Sequence, residues 1–248
     1  MLFDGLHLSY IIISLLVSAG LLFLAKKYIH TEKYKEWFLK FWAIVTVFLH
    51  LITLYDDYLK TGSANVADNQ LFPIYFCNMT MYLLVITALW GNKKTKFFQY
   101  LATVTSFSGI LGSLISLFYP EYYLNTGDMF VLHVFKSLLS HSTMLIGCLY
   151  LIVGRYIKIS FKESTITFGV GLLGFGLVGV IVNAIFKWAH LPPPNAMYLQ
   201  RPPIPEVPFL NVYVIALMLM GVVALSTYIY SLNEKKHASK RDALYQSS

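Results

Sequence analysis

Charge is what this 248-residue chain has least of: Asp, Glu, Lys and Arg together make up 12% of it, roughly half the ~25% of ordinary soluble domains. That shortage excludes a soluble globular enzyme, a disordered chain and a coiled coil. The ~10-residue segments of alternating polarity that a membrane β-barrel requires are also missing. So are basic residues ahead of the first apolar run; Asp4 stands there instead, so the run is not a cleaved signal peptide. We expect an uncleaved first span that enters from outside.

What the chain has in abundance is apolar surface, 57% of residues with a mean hydropathy of +0.61. A helix crosses the bilayer core with about 20 apolar residues. Seven such runs are present: 8–25, 38–55, 71–90, 97–119, 129–153, 166–187 and 208–231. The expected fold is all-α, a single domain forming a bundle of seven transmembrane helices in the cell membrane.

The net charge of +7 resembles that of a nucleic-acid binder, but its distribution points elsewhere. Fifteen of the nineteen Lys and Arg follow runs one, three, five and seven, as in Lys26–Lys27, Lys93–Lys94 and Lys235–Lys236. This one-sided placement predicts the amino terminus outside and the carboxyl terminus in the cytosol. The expected partners are membrane phospholipids, with anionic headgroups at the basic loops and no nucleic acid. Nothing in the sequence fixes the oligomeric state.

Residues 188–207 form a loop holding six of the nine prolines. Proline there sets a stiff, extended course. Two readings stay open: a solvated linker, or a plug over an outward cavity, which Met197-Tyr198-Leu199 in its middle favours. Small residues in runs four and six (Thr105, Gly109, Gly112, Ser113 and Ser116, then Gly169 to Gly179) point to close helix packing.

Chemistry has to come from the few polar groups inside the runs, where an ionised group costs about 2.5–3.5 kcal/mol at the bilayer centre. They are His50, Cys77, Asn78, His133, Lys136, His141 and Asn183, with Asp56 and Asp57 ending run two. With alternating run directions most of these share the outer leaflet, which predicts one pocket opening outward. His133, Ser137, Ser140 and His141 line one helix face, and so do His50 and Asp57. Counted from Met129, His141 falls about 18 Å down its helix, near or past the midplane and a turn or more below Cys77. The same counting places Cys77 and Cys148 on opposite sides of the midplane, so no disulfide is expected.

Two chemistries fit this constellation. Cys77 can accept an acyl group with His141 or His133 as its base, or the carboxylates and histidines can serve a transporter or lipid-binding protein without covalent chemistry. No HxxxH or HxH spacing occurs, so neither a metal site nor a cofactor is expected.

Four segments then carry a resemblance. Leu71-Phe72-Pro73-Ile74-Tyr75-Phe76-Cys77-Asn78 resembles the "LPLHLC(D/S)" signature of the bacterial YwaF family of integral membrane proteins, which is related to the eukaryotic transmembrane protein 164 acyltransferases. Phe107-Ser108-Gly109 through Pro120 is similar to that family's glycine-rich fourth span, and Leu139-Ser140-His141-Ser142 to its "ISHS" segment. Asn183, followed by Asn195-Ala196-Met197-Tyr198-Leu199 and Arg201-Pro202, is similar to "vN…NYMYLxxKP". Where that pattern has His, His and Tyr, this chain has Tyr75, Lys136 and Ala196. The resemblance implies seven spans and a pocket around a cysteine and a histidine. For the eukaryotic relatives it implies acyl transfer onto phospholipids with those two residues catalytic; they correspond to Cys77 and His141. Lys136, Asn78 or Asn183 would then steady an oxyanion. An ester hydrolase, with water as acceptor, is the related alternative.

Overall fold

The computed structural model describes residues 3–61, 72–120, 123–124, 127–192, 194–204 and 207–246. Among them are seven α-helices, one 3-10 turn and no strand. The helices are α1 (Gly5–Tyr28), α2 (Glu32–Thr61), α3 (Phe76–Leu89), α4 (Lys96–Phe118), α5 (Leu132–Val153), α6 (Phe161–Trp188) and α7 (Val212–Gln246); the 3-10 turn is η1 (Ala196–Tyr198). Five of them are long and apolar enough to cross a membrane, and α3 is a shorter apolar helix of 14 residues.

Local signals start the helices. Asp4 accepts a hydrogen bond from the His7 N–H at 2.9 Å, Thr95 from Phe98 at 3.1 Å and Ser160 from Glu163 at 3.3 Å. Each side chain satisfies an amide that the first turn leaves without a partner. Lys26 and Lys27 close α1, where cations suit the negative end of the helix dipole.

The hub is α5, whose most apolar 18-residue stretch is 72% buried, against 28% in α1, 22% in α6 and 11% in α7. It packs on α1, α2 and α4. Lipid tails are as apolar as leucine, so no hydrophobic force drives these contacts; close packing and short polar bonds do. Ser142 of α5 meets both Ser14 at 2.6 Å and Tyr10 at 3.0 Å on α1. Thr46 of α2 donates to Thr143 at 3.0 Å. Ser106 of α4 donates to the Cys148 carbonyl at 2.9 Å, and Gln99 to the Tyr156 carbonyl at 2.8 Å. Rising numbers on α4 thus meet falling numbers on α5, so the two are antiparallel. Thr87 of α3 meets Thr105 of α4 at 3.0 Å.

This connectivity gathers the start of α1, the ends of α2 and α4, the starts of α3 and α5, and η1 at one end of the bundle. There His7 Nε2 lies 2.8 Å from the Leu117 carbonyl, and Tyr123 donates to Asp4 at 2.5 Å. The opposite end carries the basic loops, where Glu36 pairs with Lys40 at 3.2 Å and Lys93 at 3.6 Å.

Candidate functional site

The site lies at the η1 end, where α3 starts. Residues Phe72 to Tyr75 are not helical. Pro73 has no N–H and disfavours the helical conformation at Phe72, so α3 begins at Phe76, five residues past the start of the apolar run. Non-helical backbone inside a membrane persists only where protein or a cavity satisfies its polar groups. Here η1 satisfies it: the Met197 N–H donates to the Ile74 carbonyl at 2.7 Å.

Residues 194–204 are therefore seated on the bundle through η1. Ala196 and Met197 are buried, and Tyr198 stacks on Tyr75 with ring centroids 5.3 Å apart. Asn183, near the end of α6, holds both polar groups of Ala196, accepting from its N–H at 2.9 Å and donating to its carbonyl at 3.3 Å. Asn195 caps the far side, accepting from the N–H groups of Gln200 and Arg201, both at 3.0 Å. Asn195, Met197 and Tyr198 all have φ between 52° and 55°. Asparagine tolerates that region, but methionine and tyrosine are strained in it, and such strain persists only where surrounding contacts over-determine it. Asn183→Leu removes both bonds to Ala196 and leaves its buried N–H and carbonyl unsatisfied. The expected cost is about 2 kcal/mol, read as a lower thermal midpoint together with faster proteolysis between residues 190 and 204.

Cys77 is the second residue of α3. Its thiol lies 3.6 Å from the Asn78 side-chain oxygen. Asn78 Nδ2 lies 3.2 Å from His50 Nε2. An amide nitrogen only donates, so with this amide orientation His50 Nε2 accepts, and the proton of the neutral ring sits on Nδ1. The edge of Tyr82 meets the His50 ring at 6.0 Å. Lys136, buried at 7% exposure, donates to the His50 carbonyl at 3.3 Å.

His141 is 7% exposed. Its Nδ1 lies 2.7 Å from the Ser137 carbonyl, one turn earlier in α5. A carbonyl only accepts, so Nδ1 carries the proton and Nε2 of the neutral ring keeps its lone pair. Among the described residues Nε2 is buried with no hydrogen-bond partner.

Helix register relates the two residues. Gly109 of α4 packs on Cys148 of α5, and Gly112 packs on Cys77. Seven residues from Gly109 is Ser116, and seven back from Cys148 on the antiparallel helix is His141. Both steps are two turns, about 10.5 Å. His141 is thus level with Ser116, on the η1 side of Cys77. Depth counted along the sequence placed it below Cys77; α5 extends past the ends of α3 and α4, so distance from the start of its apolar run does not measure depth in the bundle. On the same register Cys148 is beside Thr80, one turn from Cys77. Both thiols are free.

The structure therefore brings Cys77, Asn78, His50 and Lys136 together, with His141 in register, and sets Tyr75, Asn183, Asn195 and Tyr198 in the η1 seat above them. His133 is half-buried, two turns closer to the start of α5 than His141. The side chain of Asp57 lies outside the described residues. Among the described residues no group of three His, Cys, Asp or Glu side chains is placed to hold a metal ion. Two serines read from sequence as packing residues prove more informative. Ser116 stands one turn past Gly112, which packs on Cys77, and among the described residues the Ser113 hydroxyl is buried with no partner. Their i+4 and i+7 spacing from Gly109 was the available signal.

Residues 2–231 of the chain match the TMEM164 family. No curated protein and no solved structure matches it.

Proposed function

From the chain's membership of the TMEM164 family of membrane proteins, we propose that it transfers fatty acyl groups between membrane lipids through a thioester on Cys77. The observation that carries this reading is the His141 ring: buried, its proton fixed on Nδ1 by Ser137, its Nε2 without a partner among the described residues, and level with Ser116, one turn past the Gly112 that packs on Cys77.

The steps balance as follows. His141 Nε2 takes the thiol proton of Cys77, because the thiolate is the nucleophile. The sulfur attacks the ester carbonyl carbon of a donor lipid. The Lys136 ammonium and the Asn78 amide supply positive potential for the oxygen that gains charge. The C–O bond breaks, the departing alkoxide takes the proton from Nε2, and the acyl group stays on sulfur. An acceptor lipid hydroxyl then gives its proton to Nε2 and attacks the thioester, and the thiolate leaves and regains the proton. The η1 segment closes this site toward the bilayer surface, which keeps water from replacing the acceptor. With water as acceptor the same groups give an ester hydrolase, and the product separates the two: a new phospholipid or a free fatty acid.

The test is intact mass spectrometry after incubation with an activated fatty acyl ester. Wild type should gain one acyl mass. Cys77→Ala should gain none while keeping its thermal midpoint, since Cys77 is only part-buried and alanine fits its space. An adduct that persists in Cys77→Ala, or that maps to Cys148, would overturn the thioester. Proteoliposome uptake of a solute that survives Cys77→Ala would instead support transport.

A further inference from the structure

Outside this site a groove of about 930 Å³ lies between α3, α4 and α6, within the ~300–1,000 Å³ of cavities that hold small ligands. Its walls are almost wholly apolar, including Met79 and Leu83 of α3, Leu101 and Val104 of α4, and Phe175 and Val178 of α6. Its mouth is not: Ser160, Lys162 and Glu163 stand there, at the basic end of the bundle. Glu163 belongs to the first turn of α6, where a carboxylate suits the helix dipole. Lys162, next to it, is the cation among the residues that line the groove.

Two glycines shape the groove. A Cβ on Gly171 would sit 2.6 Å from Val104, so α4 and α6 touch there. A Cβ on Gly174, one turn on, would meet nothing within 4 Å. The space beside Gly174, which lines the groove, is open. From Lys162 to Phe175 is 13 residues of α6, about 20 Å, which covers most of the ~30 Å hydrocarbon core.

We propose that this groove holds one acyl chain of a resident phospholipid, its phosphate at Lys162 and its methyl end against Phe175. The length, the apolar walls and the single polar end match an amphiphile whose charge sits at one tip. A protein helix, about 10–12 Å across, would need Val104 and Gly171 to separate. In this pose the lipid esters lie beside Lys162, about 20 Å from the Phe175 end, where Phe175 packs on Phe76 at 4.8 Å beside Cys77. The bound lipid is therefore not the acyl donor in this pose. It fills the gap between α3, α4 and α6 and holds α6, the helix that carries Asn183, against the bundle.

The experiment is photo-crosslinking of the full chain in phosphatidylcholine vesicles. One probe is phosphatidylcholine with a diazirine in one acyl chain, the other a diacylglycerol with the same labelled chain. The phosphatidylcholine probe should label peptides containing Val104 and Thr167 well above the lipid-facing surfaces of α1 and α7. Lys162→Gln should cut that labelling about fivefold, the worth of one surface lysine toward an anionic group, and leave diacylglycerol labelling unchanged. Gly174→Phe should abolish groove labelling by filling the space. Gly176→Phe is the control, since a Cβ there also meets nothing within 4 Å yet the residue does not line the groove. Equal labelling by both probes, labelling spread evenly over the lipid-facing surface, or labelling that survives Gly174→Phe would overturn the proposal. So would a cross-link from a second copy of the chain inside the groove. The readout is labelling rather than transfer, so it stands or falls separately from the thioester.

Discussion

His141→Asn is expected to slow acyl transfer about 10²- to 10⁴-fold, the usual contribution of a positioned general base. Asparagine suits the test because its amide can replace Nδ1–H as donor to the Ser137 carbonyl; only the buried lone pair of Nε2 is lost. Without it Cys77 must ionise unaided. The residual rate of His141→Asn should therefore climb with pH, tenfold per unit, until the thiol is ionised. The wild-type rate should instead fall as pH drops and Nε2 is protonated, because a protonated ring cannot accept the thiol proton. Transfer of a labelled acyl chain in proteoliposomes, followed from about pH 6 to about pH 10, separates these profiles. Full activity in His141→Asn, or a slow variant whose profile parallels wild type, would remove His141 from the chemistry.

The second large effect concerns the packing that sets the register. In Gly109→Ala the added methyl would overlap the Cys148 sulfur and stand 2.9 Å from its Cβ and 3.2 Å from Thr80 Cγ2. Three helices meet there, so none can shift without disturbing another. Overpacking of this kind costs about 3 kcal/mol. A lower midpoint of thermal or denaturant unfolding in detergent would register it. Cys148→Gly removes both clashing Cys148 atoms. Alone it should destabilise by about 1–2 kcal/mol, through the cavity left at a fully buried position and the poorer helix propensity of glycine, but combined with Gly109→Ala it should restore much of the loss, which a double-mutant cycle reads as strong favourable coupling. Gly112→Ala is the contrast, since its nearest neighbour would be Phe76 at 3.4 Å, an ordinary contact, and its effect should be small. Equal losses for the two glycines would mean that α4 and α5 are not in the register described.

Composition and apolar run length reach the class and the helices because bilayer thickness dictates both: a chain with so little charge and seven long apolar runs has few other ways to satisfy its backbone. The polar residues of the site stand out in sequence for a related reason. Groups such as His50, Lys136 and His141 are too costly in lipid to be incidental. Capping residues such as Asp4, Thr95 and Ser160 are equally local.

Depth and partnership required the assembled bundle. No sequence pattern states that α5 extends past α3 and α4, so counting residues set His141 on the wrong side of Cys77. Nor does any pattern pair Met197 with the Ile74 carbonyl or Asn183 with Ala196, contacts between segments that are distant in the chain. Membrane thickness acts on each helix singly and is written in its sequence. Register, the tautomer of His141 and the open space beside Gly174 arise only where helices touch, through close approach at Gly109 and Gly171 and through bonds from one helix to the next.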